Sequence, residues 1–381
     1  MRTKKQMRRN TGIWIGVVLI VLLFIGREKF NDLRDNEIRK NDEKENSSVE
    51  RPEKEMQTIL ENGYSTWIVY WDFDTAWDEI DSCGEKLTDI TMFEALYTGE
   101  TDEVWLPNEM TEMIEMAKEK YQGKKRLYLS FVNDFKNEDG TYSQKDVKLL
   151  ERLVKTEESR KRHVEEMIAM VKKYELDGVE LDYENLKRAE HLGDSYAEFI
   201  ELLYQEAEKE GLRVKVDVEY QTAQKANLPQ GPEYVVMCYN LFGEGTGPGP
   251  KADREFLITC CDNYVNQKNV TMAFSTGGFD WEEGIGCKAL TERAAVELFL
   301  EKCGENGTQN RDEKSGCVWF HYTEDGKSHE VWYADAVTLN YWKQVVKGQG
   351  YERIAIWRMN GNDLSTLQKV IKDGVIYEKE E

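Results

Sequence analysis

The chain has 381 residues, of which 40% are hydrophobic and 33% charged, and carries a formal net charge of −22 with an isoelectric point of about 4.8. That length and apolar content suit one large domain with a substantial core. The acidic balance excludes nucleic acid and anionic lipid as partners of the main domain, and leaves a neutral polymer open.

In chain order, residues 1–11 form a basic tail with Arg2, Lys4, Lys5, Arg8 and Arg9, and the apolar run from Ile13 to Ile25 ends at Arg27 and Lys29. Positive charge ahead of an apolar run predicts a single-pass signal anchor over 12–27, with the rest of the chain outside the cell membrane. The run is short beside the roughly 20 residues of a full span. No small-x-small cleavage site follows it, so an uncleaved anchor is expected, and cleavage would instead yield a secreted protein. Residues 28–62 are dense in charge, poor in apolar side chains and predicted to be a solvated linker.

From residue 63 onward, strand and helix patterns alternate. Strands are expected at Trp67 to Trp71, Asp89 to Glu94, Arg126 to Phe131, Gly178 to Glu184, Arg213 to Glu219, Tyr234 to Tyr239, Asn269 to Ser275 and Arg353 to Trp357. Amphipathic stretches fall between most of them, including Glu109 to Lys118, Ser159 to Tyr174, Asp194 to Lys209, Lys251 to Asn266 and Thr291 to Lys302. Eight such units predict an α/β fold, a (β/α)8 TIM barrel over 63–381. No Gly-x-Gly-x-x-Gly turn supports a doubly wound sheet. The stretch Cys317 to Trp332, with Glu324-Asp325-Gly326-Lys327 at its centre, predicts a small β-hairpin inserted before the last strand.

The chemistry concentrates in Asp177-Gly178-Val179-Glu180-Leu181-Asp182-Tyr183-Glu184. A strand period of two sends Glu180, Asp182 and Glu184 to one face, and Val179, Leu181 and Tyr183 to the other. Carboxyl groups stacked on one face repel one another, which raises proton affinity and favours a general acid at the C-terminal end of the strand. A half-exposed strand with its charges in water is the plainer alternative. The flanking helices, which cover the strand, weigh against it.

This run resembles the signature of glycoside hydrolase family 18, the chitinase-like barrels, whose fourth strand carries Asp-Gly-x-Asp-x-Asp-x-Glu. Met237-Cys238-Tyr239-Asn240 is similar to the family's Met-x-Tyr-Asp. Ile356-Trp357-Arg358 resembles its tryptophan floor, and His329 to Ala336 the approach to the last strand in spore-cortex and cell-wall members. The resemblance implies substrate-assisted, retaining hydrolysis of β-1,4-linked N-acetylglucosamine in peptidoglycan, chitin-type chains or N-glycans. Glu184 would be the acid, Asp182 would hold the acetamide N–H, and Tyr239 would orient the acetamide oxygen. Trp357 would floor the sugar, with Met237 beside it. Glu180, Asn240 and Asp177 would support the site, with Glu180 and Asn240 standing where the family has aspartates. A non-hydrolytic glycan-binding protein is the alternative reading.

Among further residues, Tyr70 and Trp71 end the first predicted strand and are candidates for the cleft, and Trp281 on the seventh βα loop is a candidate for sugar stacking. Ser130 reads as core or as a residue behind those that line the site. Gly243 to Pro250 reads as a rim loop. Seven cysteines without a C-x-x-C pair exclude a complete set of internal disulfides. Cys303, Cys317 and His321 lack a convincing fourth ligand, so neither metal nor cofactor is expected. The partner expected is an N-acetylated polysaccharide, bound by a monomer.

Overall fold

The computed structural model describes residues 63–372, and in it eight parallel strands close on themselves. They are β1 (Tyr64–Val69), β2 (Leu87–Thr98), β3 (Arg126–Lys136), β4 (Gly178–Asp182), β5 (Arg213–Glu219), β6 (Glu233–Met237), β7 (Val270–Ser275) and β8 (Arg353–Trp357). Each pairs with the next, and β8 pairs with β1 through Ser65–Ala355 and Thr66–Ile356. The outer layer includes α1 (Ala76–Cys83), α2 (Asn108–Tyr121), α3 (Val147–Val154), α4 (Glu157–Lys173), α5 (Gly193–Lys209), α6 (Arg254–Asn263), α7 (Glu292–Cys303) and α8 (Ala336–Gly348). The eight-stranded barrel read from the alternation is therefore present.

Local chemistry explains the elements. Helix α4 starts at Thr156, whose hydroxyl accepts from the Ser159 N–H while Ser159 reciprocates, and it buries Val164, Met167 and Val171 on one stripe. Asp146, Asp253 and Asp335 cap α3, α6 and α8 in the same manner. In β4, Val179 and Leu181 face the helices and join the large outer core. A smaller cluster of Trp67, Val69, Phe93, Leu96, Val132, Val235, Ala273 and Ala355 fills the barrel interior. Below the cleft the interior is charged. Lys215 on β5 lies 3.0 Å from Asp89 and 3.8 Å from Glu180, and Arg126 lies 2.5 Å from Asp89.

The insertion before the last strand is larger than the predicted hairpin. Strands 318–324 and 327–334 form that hairpin, but residues 277–282, 286–290 and 310–311 complete a five-stranded antiparallel sheet packed against α7. The Gly277-Gly278 pair reads as loop from sequence. Here it lets backbones meet, because a Cβ on Gly278 would sit 1.7 Å from the Trp332 carbonyl oxygen. Strand edges shift too: β1 ends at Val69, so Tyr70 and Trp71 lie in the following turn, and β4 ends at Asp182, so Glu184 lies just beyond it.

The barrel's seam is stitched above the β1–β8 pair. Arg358 bonds Asp72 at 2.7 Å, and the buried Glu79 of α1 accepts the N–H groups of Asn360 and Asn362 at 2.7 and 2.9 Å. Among the described residues no helix is long and apolar enough to cross a membrane. The predicted basic tail, anchor and linker over 1–62 lie outside them.

Candidate active site

A cleft of about 270 Å³ opens at the C-terminal ends of the strands. This is the end of a (β/α)8 barrel where side chains from several strands converge. Asp182, Glu184, Met237, Tyr239, Asn240 and Trp357 all line it. The sequence-marked residues from β4, β6 and β8 are thus brought together.

Trp357 is half-buried and forms an aromatic floor with two residues the sequence did not single out. Its ring lies 5.7 Å from that of Trp67 and 5.0 Å from that of Phe93. Trp71, 52% exposed, packs edge-on against Phe93 and gives the cleft an accessible ring. Tyr70 is not among the lining residues and packs edge-on against Trp71 at 4.9 Å.

Three other expected positions fall outside the cleft. Trp281 is buried within the inserted sheet, 5.4 Å from Phe279, because the stretch expected to be a βα loop is strand. Asp177 lies at the opposite end of β4, where its carboxylate accepts the Leu127 N–H at 2.7 Å. Glu180 is fully buried one layer beneath Asp182, taking hydrogen bonds from Trp67 Nε1 and, at 2.6 Å, from the Thr91 hydroxyl. Ser130 is fully buried in β3, as the core reading has it.

Two carboxyls of the acid row, Glu180 and Asp182, are raised, and burial is the larger cause in both. Burial, then the neighbouring charges of Glu184 and Glu180, raises the Asp182 carboxyl well above its ordinary value. One of its oxygens, Oδ1, is buried without a hydrogen-bond partner. Asp217 on β5 is likewise raised by burial and by Glu180. Burial and the charge on Asp134 push Glu94 up to about 8, so it carries a proton at neutral pH. Burial, then Asp182 and Asp217, raises the Tyr239 hydroxyl and keeps it neutral.

Glu184 is held by a surround that the sequence did not disclose. The Asn133 side chain accepts the Glu184 N–H at 2.9 Å and donates to its carbonyl at 3.1 Å. Lys145 Nζ stands 2.5 Å from Glu184 Oε1. Glu94, Asn133, Asp134, Gln144, Lys145 and Asp217 line the cleft from β2, β3, the loop before α3, and β5. Only spatial convergence marks them. Among the described residues no group of His, Cys, Asp and Glu is arranged to hold a metal ion.

A closed parallel barrel with a row of carboxyls over an aromatic floor, at its strand C-termini, defines the class of barrel enzymes that open glycosidic bonds. Residues 140–363 match the model of glycosyl hydrolases family 18, and the chain belongs to that family. The protein is a glycoside hydrolase of the chitinase-like type.

Similar proteins agree with that placement. The uncharacterized glycosylase YvbX of Bacillus subtilis (strain 168) is 22% identical over 246 residues, 60% of this chain and 70% of the relative. The putative sporulation-specific glycosylase YdhD of the same strain is 21% identical over 48% of this chain and 46% of its own length. The spore cortex-lytic enzyme SleL of Bacillus cereus superposes with a TM-score of 0.67 at 17% identity, covering 83% of this chain and 75% of that one. A chitinase from Chromobacterium violaceum does so with the same TM-score at 15% identity, covering 83% and 100%. These structural likenesses concern the fold.

Proposed function

We propose that this protein cleaves β-1,4 bonds of N-acetylglucosamine-containing glycans, with Glu184 as general acid and the substrate's own acetamide as nucleophile. The observation that carries the reading is Asp182: a buried carboxyl of raised proton affinity with an unpartnered oxygen beside Glu184. An acetamide N–H is a donor that satisfies such an orphan acceptor.

The steps follow from the positions. The sugar rests on Trp357, flanked by Trp67 and Phe93, where aromatic rings favour its apolar face. Glu184 gives its proton to the departing glycosidic oxygen. The acetamide oxygen, oriented by the neutral Tyr239 hydroxyl, closes on the anomeric carbon to give an oxazolinium, and Asp182 stabilises its positive charge through the N–H. Glu184, now a carboxylate, takes a proton from the water that opens the ring. Glu94, protonated at neutral pH, offers one further donor to the sugar hydroxyls.

Peptidoglycan is favoured as the polymer because a basic tail and apolar run ahead of a charged linker suit a membrane-tethered domain facing the cell wall. The names of the sporulation glycosylase and cortex-lytic relatives point the same way. The test is to incubate the purified protein with chitooligosaccharides, a high-mannose glycopeptide and peptidoglycan, and to identify products by mass spectrometry beside Glu184→Gln. New reducing ends that vanish in the variant are expected. Cleavage that persists in Glu184→Gln would remove Glu184 from the role of acid.

A further inference from the structure

The cleft is lined by five acidic side chains, Glu94, Asp134, Asp182, Glu184 and Asp217, and by a single basic one, Lys145. That lysine is built in place. Its backbone takes a positive φ of 50°, its N–H donates to Asp134 Oδ1 at 2.7 Å, and its carbonyl accepts from Asn185 Nδ2 at 3.2 Å. Asn185 follows Glu184 and is itself in the left-handed region at φ 67°. The two residues therefore fix Lys145 against the acid from both sides, and the ammonium meets Glu184 at 2.5 Å.

The Glu184 carboxyl must reach the glycosidic oxygen to act, and the ion pair ties it to Lys145 for as long as it persists. A substrate can relieve this by giving Lys145 another anion. Carboxylate binding at Lys145 and release of the Glu184 carboxyl then reinforce each other, since each removes what opposes the other.

We propose that Lys145 is a specificity and positioning residue: it receives a carboxylate borne by the glycan next to the scissile bond, and in leaving Glu184 frees that carboxyl to reach the glycosidic oxygen. The substrate class is thus an N-acetylated glycan with carboxylate-substituted sugars, and neutral chains are the poorer substrate. This rests on Glu184 being the acid. The groups facing the pair are Asp182 from β4, Glu94 from β2, Asp134 from β3, Asp146 at the start of α3, Glu219 and Asp217 from β5, and Tyr239 after β6. All of them are acidic or neutral, and none replaces Lys145 as the counter-charge.

The experiment measures kcat and KM for chitooligosaccharides and for peptide-free glycan strands of alternating N-acetylglucosamine and N-acetylmuramic acid. It uses the full-length protein, Lys145→Met, Lys145→Arg and Glu184→Gln. The parent is expected to favour the carboxylated strands by about tenfold. Lys145→Met should bring that ratio towards one, chiefly by raising KM for the carboxylated strands. Lys145→Arg should retain the preference. A ratio unchanged in Lys145→Met would overturn the assignment of Lys145 while leaving the acid in place. No Glu184-dependent cleavage of either glycan would overturn the underlying reading and this one with it.

Discussion

Asn240 tests the electrostatics of the site at the residue scale. It is exposed and lines the cleft at the position where the family pattern has aspartate. A carboxylate there adds negative charge to the cleft and raises the proton affinity of Asp182 further. Asn240→Asp should therefore shift the activity optimum to higher pH, read from kcat/KM profiles of the two proteins. Superimposable profiles would show that this position does not reach the acid row. The acid row itself was legible because its residues are contiguous and a strand sorts them by alternation. Glu94, the Asn133-Asp134 pair and Lys145 were not, since they come from three separate stretches of chain and carry no local pattern. What makes them matter is the parallel pairing of β2 with β3 and of β3 with β4, which sets the ends of the three strands side by side. Trp71 against Tyr70 is the same lesson in small: both are aromatic, and only the turn after Val69 decides which ring faces the cleft.

At the scale of elements, the strands and helices followed hydrophobic period closely, and β5 and β8 have the predicted limits. The inserted sheet was under-read because Gly-Gly serves there as strand, and two-residue strands leave no period to detect. The strands also explain a stability effect. Asp217, inside β5, is raised by burial and by Glu180, so the folded chain binds its proton more tightly than the unfolded chain does. Below the unfolded value of about 3.9 both states hold the proton. As pH rises past it, the unfolded chain releases its proton while the folded chain retains it, and stability falls. Asp217→Asn mimics the protonated form and should raise Tm at pH 7 by a few degrees, about 2–4 °C or more, with the gain shrinking towards zero below pH 4. Thermal unfolding of both proteins from pH 3 to 8 reads this directly, and a constant gain across that range would count against it. Asp89 works in the opposite sense. Burial alone would raise it, but Lys215 and Arg126 hold it below its ordinary value, so its contribution is present above about pH 3.9 and lost as pH falls through the lower folded value.

For the whole molecule, a net charge of −22 repels an anionic polymer at long range even where one ammonium receives it at contact. Screening by salt shortens that repulsion to roughly 8 Å at physiological ionic strength. KM for carboxylated glycan strands should therefore fall as salt rises from about 10 to 150 mM, while KM for neutral chitooligosaccharides stays level. A salt response shared by both substrates would point to the protein's own stability instead.

The seam between β1 and β8 has a consequence for how the protein is made. Tyr64–Val69 pairs with Arg353–Trp357, and the ring of Trp67 meets that of Trp357 beneath the cleft. Of the described strands, the first to leave the ribosome thus keeps one edge unpaired until nearly the whole chain has followed it. At about 5–20 residues per second, that interval lasts some tens of seconds. A nascent chain stalled before Arg353 would carry Asp182, Glu184 and Tyr239 but not Trp357, so the cleft is complete only once translation has passed β8.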